Sequence, residues 1–103
     1  MISNRKKYIE TLLLQNKNIL SQIGVKSIGI FGSVVRGDDN ENSDYDILVE
    51  FNKDCRKFSN FNKLCEFLEN NIGNKFDIVT KDGLSPYIGE KILKEVEYVA
   101  IDN

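Results

Sequence analysis

The sequence contains no histidine. That removes the commonest general base and the commonest metal-binding side chain together, so any chemistry must run on carboxylates, hydroxyls, backbone amides and cations. Cysteine is nearly absent: Cys55 and Cys65 are the only two, and nothing that ligates zinc clusters around them. A structural zinc site wants four Cys or His ligands and is excluded, and free thiols are expected rather than a disulfide. Long apolar runs are missing as well. Leu12-Leu13-Leu14 is too short and too closely flanked by polar residues to be a signal or membrane segment, so a cytoplasmic protein with no membrane partner is expected. Nor is there an excess of one charge. A net charge of −2 gives no bias towards bulk nucleic-acid binding, and no direct contact with nucleic acid is expected. A polyanionic substrate would have to be handled by a local site or by metal.

What is present is an ordinary globular composition, 41% apolar and 29% charged over 103 residues. A chain of this length is expected to form one domain, residues 1–103, with room for one active site. Apolar spacing predicts an amphipathic helix from about Ile2 to Ile23, with Ile9, Leu12, Leu13, Ile19, Leu20 and Ile23 on its buried stripe and Gly24 ending it. Ser27 to Phe31 reads as a short buried strand running into Gly32-Ser33, and Gly37 to Ser43 as a polar loop. Asp44 to Phe51 alternates: Tyr45, Ile47, Val49 and Phe51 share one face, while Asp44, Asp46, Leu48 and Glu50 share the other. A helix over about Ser59 to Asn71, a strand over Lys75 to Thr80, a helix opened by Ser85-Pro86 and running to about Lys94, and a last strand over Glu97 to Ile101 complete the pattern. Interleaved helices and strands indicate an α/β (α+β) fold, a mixed sheet with helices packed on one face.

Asp44 and Asp46 carry the chemistry. Two apart on a strand, they project from one face with Cα atoms roughly 6.5–7 Å apart. Facing carboxylates repel unless a cation lies between them, and magnesium suits a few carboxylate oxygens plus phosphate and water. Taken alone, Asp-x-Asp is a common pattern on an exposed sheet face. Gly32-Ser33 adds weight, because amides at a strand-to-helix turn bind phosphate and glycine permits its close approach. Asp77 lies between Phe76 and Ile78, opposite to them in facing, and if those two pack with Tyr45, Ile47 and Val49 it must face the side of Asp44 and Asp46.

Gly32-Ser33, ten intervening residues and then Asp44-Tyr45-Asp46 resembles the signature of the DNA polymerase β-like nucleotidyltransferase superfamily. The segment FGSVVRGDDNENSDYDILVEF is similar to the minimal nucleotidyltransferase (MNT) group, short members found as antitoxins beside HEPN-type toxins, and the flanking elements fit over most of the chain. The resemblance implies that Gly32 and Ser33 hold the β- and γ-phosphates of a nucleoside triphosphate. Asp44 and Asp46 would ligate two Mg2+ ions, and Asp77 would complete the metal site and help to deprotonate the attacking hydroxyl. Arg36, one helical turn after Ser33, would touch the triphosphate or be an ordinary surface arginine. The implied activity is transfer of AMP from ATP to a hydroxyl of a cognate HEPN toxin. The alternative is a binding module that neutralises its partner by occlusion, and an enzyme acting on a small molecule such as an antibiotic ranks last.

Other features read as structural. Arg5, Lys6 and Lys7 are expected on a solvated helix face, and Lys53, Arg56 and Lys57 in a loop balanced by Asp54. Tyr45 is assigned to the core, and Tyr87 and Tyr98 to helix and strand packing. Asp38, Asp39 and Glu41 are assigned to solubility.

Overall fold

The computed structural model describes residues 4–101. The predicted first helix is two: α1 (Arg5–Gln15) and α2 (Lys17–Ile23). Its expected start at Ile2 lies outside the described residues. The break is at Asn16, whose side-chain amide donates to the Leu12 carbonyl at 2.8 Å. Such local bonding competes with the helical ladder and turns the chain. The change of direction leaves Ile19 exposed and Leu12 half-buried, while Ile9, Leu13, Leu20 and Ile23 are buried as expected. Gly24 closes α2 with φ +99°, where glycine carries no steric cost.

Four strands follow: β1 (Val25–Phe31), β2 (Tyr45–Phe51), β3 (Phe76–Thr80) and β4 (Glu97–Val99). They form one mixed sheet in the order β3-β2-β1-β4, with β1 antiparallel to β2 and β4, and β2 parallel to β3. A four-residue helix, α3 (Ser33–Arg36), links β1 to the loop before β2. The 15-residue helix α4 (Phe58–Ile72) is the crossover that makes β2 and β3 parallel. The last helix, α5 (Pro86–Glu95), opens as expected with the Ser85 side chain accepting from the Ile88 N–H.

The alternation in β2 is realised. Ile30 pairs with Ile47, and Ile28 with both Val49 and Val99. On this face they join Ile9, Leu13, Leu20, Leu64 and Leu68 in one core, roofed by α1, α2 and α4. Full burial of each such side chain contributes about 1.5–3 kcal/mol, enough for this face to dominate stability. The opposite face carries Phe31, Asp46 and Leu48 in the ladder. Phe31 and Leu48 are buried there, outside the main core cluster. Tyr45 is in the core as assigned, but Tyr87 is 90% exposed and packs nothing, and Tyr98 is half-exposed. No helix among the described residues is long and apolar enough to cross a membrane.

Candidate functional site

At the end of β1 the chain must turn at once into α3, and Gly32 does this with φ +79° and ψ −155°, a conformation essentially confined to glycine. A second reason for glycine is contact. A Cβ there would come within 2.0 Å of Asp46 Oδ2, so the turn and the β2 aspartate are fitted against each other. Ser33 is the first residue of α3, where helix amides lack partners within the helix, and Gly37 ends the turn with φ +81°.

Asp46 and Asp77 lie side by side on neighbouring strands, and Asp44 just precedes β2. Asp46 is aligned with Phe31 on β1 and with Asp77 on β3, which realises the expected parity of Asp77. Asp44 immediately precedes β2, and it and Asp77 are exposed while Asp46 is half-buried. Burial pushes the Asp46 carboxyl above its ordinary value, the charges of Asp77 and Asp44 push it further, and Arg36 offsets part of this. A crowded carboxylate of this kind is what a cation relieves. Among the described residues no three carboxylates are gathered around one point as they stand. The donor set still suits a hard divalent cation, because the two flanking aspartates are exposed side chains free to rotate towards Asp46.

Arg36 is exposed and makes two ion pairs. Its Nη1 donates to Glu95 Oε1 at 2.7 Å and its Nε to Asp38 Oδ2 at 3.2 Å. The other oxygen of Glu95 accepts from the Gly32 N–H at 3.0 Å. The Arg36 hydrogen bond, aided by the Gly32 amide, holds the Glu95 carboxyl below its usual value. Gly32, Arg36, Phe31 and Asp46 form one wall of a cleft of about 690 Å³, and Ile88, Lys91, Ile92 and Glu95 of α5 form the other. That volume lies in the range of small-ligand sites.

The loop before Asp44 is held from a distance. Arg5 on α1 donates to Asp39 Oδ2 at 3.0 Å, to the Asn40 carbonyl at 2.8 Å and to the Ser43 carbonyl, and its guanidinium lies 4.5 Å from the centre of the Tyr45 ring. This corrects two expectations. Arg5 is not on a solvated face, and the fully buried Asp39 side chain does not serve solubility. Of the basic residues after β2, Arg56 meets Asp82 at 3.2 Å. Sequence reasoning missed Arg5, Lys91 and Glu95 as parts of the site. The only signal for Glu95 was its place at the junction of α5 and β4, and Arg5 gave none, since its partners are more than thirty residues away.

Residues 13–99 match the nucleotidyltransferase domain family. The protein adenylyltransferase MntA of Thermococcus cleftensis is 42% identical over 92 residues, covering 88% of this chain and 92% of that protein. A solved structure described as a candidate minimal nucleotidyltransferase superposes with a TM-score of 0.69 at 32% identity, over 85% of this chain and 93% of that one. A toxin–antitoxin structure solved with AMP-PNP has the same fold, with a TM-score of 0.61 at 21% identity over 82% of this chain and 72% of that one. A glycine-serine turn locked onto a strand aspartate, a second aspartate in register beside it and a cleft of nucleotide size thus occur in a chain that belongs to the nucleotidyltransferase family, in its minimal form.

Proposed function

We propose that this nucleotidyltransferase is an Mg2+-dependent protein adenylyltransferase antitoxin, moving AMP from ATP to a hydroxyl of a cognate HEPN toxin. The observation that supports the reading is the contact of the Gly32 turn with Asp46 on one wall of the cleft. The name of the Thermococcus relative supports adenylyl transfer to protein, and the toxin–antitoxin structure of the same fold, with its AMP-PNP, supports a toxin partner and a nucleotide substrate.

In this reading Gly32 and Ser33 bind the β- and γ-phosphates through the turn, and Arg36 adds a charge-assisted contact. Asp44, Asp46 and Asp77 would hold Mg2+, which the resemblance implies as two ions. Bound there, Mg2+ supplies charge neutralisation on the departing pyrophosphate and acidifies the attacking hydroxyl. A bond forms between the acceptor oxygen and the α-phosphorus, and the bond from that phosphorus to pyrophosphate breaks. Asp77, exposed and in register with Asp46, takes the hydroxyl proton.

The test is incubation with labelled ATP, Mg2+ and the protein encoded beside this chain. Label on the partner with the native protein, and none with Asp46→Ala of unchanged circular dichroism, is the expected result. Transfer at the native rate by Asp46→Ala would sink the mechanism. A second reading has its own observation: Tyr87 and Ile88 expose apolar surface at the lip of the cleft, suited to a partner held by contact alone. Tight complex formation without label, with full protection by Asp46→Ala, would favour that occlusion.

A further inference from the structure

Glu95 ends α5 at the lip of the cleft, and both of its carboxylate oxygens are engaged. One accepts from the Gly32 N–H at 3.0 Å and the other from Arg36 Nη1 at 2.7 Å. Those are two of the donors assigned above to the triphosphate. An anion spanning a backbone amide and a guanidinium is bound in the manner of a phosphate. An anion thus lies on the donors proposed for phosphate, and that anion belongs to the chain. A triphosphate cannot use the same two donors while Glu95 stays, because two anions would share one N–H and one guanidinium edge at contact distance.

The surroundings allow an exchange. The Glu95 side chain retains 25% of its exposure, so it has water to turn into. The backbone on its far side is fixed. The Val96 N–H donates to the Ile92 carbonyl at 2.9 Å, and the Val96 side chain lies so close to Gly29 that a Cβ there would meet it at 2.6 Å. Release therefore needs side-chain rotation at Glu95 and no movement of β4. Without Glu95, Arg36 would keep only its exposed contact to Asp38 at 3.2 Å, and holding its Nη1 edge in place before substrate arrives lowers the ordering cost of binding.

We infer that Glu95 is a stand-in for a nucleotide phosphate: a positioning residue that holds Arg36 and the Gly32 turn in binding geometry and is exchanged for phosphate on entry. This rests on the phosphate role proposed for Gly32 and Arg36. The exchange makes Glu95 a competitor of the substrate, so native affinity is lower than the cleft can reach.

The experiment titrates native protein, Glu95→Gln and Glu95→Ala with inorganic tripolyphosphate and separately with ATP, both with Mg2+, following the amide resonance of Gly32. Glu95→Gln keeps an acceptor for Gly32 but loses the competing charge, and Glu95→Ala loses both. The expected result is tripolyphosphate binding tighter in Glu95→Gln on the order of fivefold, with the native Gly32 resonance moving as the ligand saturates. Equal or weaker binding by both variants overturns the exchange, as does a native Gly32 resonance unmoved at saturation. A residue with a merely structural role would lose affinity on substitution, not gain it. If tripolyphosphate exchanges as described but ATP is transferred to no acceptor, the function proposed above fails and the exchange stands. If ATP is transferred while Glu95→Gln binds more weakly, the function stands and the exchange fails. If the native protein binds neither anion, both fall.

Discussion

The two walls of the cleft are built differently. One rests on the centre of the sheet, where Ile30, Ile47 and Val49 are fully buried around the strands that carry the Gly32 turn and Asp46. The other is α5, in which Gly89 alone is buried and Tyr87, Ile88 and Leu93 stand exposed. The carboxylates sit on the well-packed wall, where a position is held by many contacts at once. Besides leading into β4, which pairs with β1, the second wall meets the first through the Glu95 contacts. One wall is set in the core and the other is largely solvent-facing.

That contrast can be broken from either side. Gly32→Ala forces a side chain into a glycine-only conformation and onto Asp46. It should cost about 3 kcal/mol or more in urea unfolding and abolish transfer. Ile47→Ala against Ile88→Ala compares the walls directly. The first should cost about 2–5 kcal/mol and the second stay within about 0.5 kcal/mol by the same measurement, so equal costs would erase the distinction. Arg5→Met tests whether the loop before Asp44 is held by the guanidinium. About 1.5–3 kcal/mol is expected, with hydrogen exchange quickening in the 38–44 loop before the strands. The smallest effect is the pH dependence of the tie between the walls. The Glu95 carboxyl is lowered, chiefly by Arg36, so its stabilisation is complete above the ordinary carboxylate value and is lost as pH falls through the lowered one. Melting of native protein and Glu95→Gln should differ slightly at neutral pH and converge in acid.

Much of the well-packed wall could be read from residue order. The alternation from Tyr45 to Phe51 gave the facing of Asp46, and the apolar neighbours of Asp77 gave its side, because strand periodicity is a local property. The spacing of Gly32-Ser33 from Asp44 and Asp46 stood out only through its resemblance to a family signature. The break at Asn16 was not legible, since a single side-chain amide bonding to Leu12 overrides a continuous apolar pattern. Neither were Arg5 and Glu95, whose partners are set by tertiary folding. Tyr87 was misjudged because an aromatic at a helix start has no periodicity to say which way it faces.

The parallel pairing of β2 and β3 has a consequence for the order in which the molecule is made. Asp46 meets Asp77 only after α4 has carried the chain back across the sheet, and the cleft gains its second wall later still, with α5. The earlier stretch of a nascent chain, although it contains the whole glycine-serine and Asp-x-Asp motif, has no complete place for a nucleotide. Contacts of such sequence separation form late and slowly. Nucleotide, binding the finished fold alone, would then act as a thermodynamic seal on synthesis, shifting the balance away from incomplete chains in proportion to its saturation of the cleft.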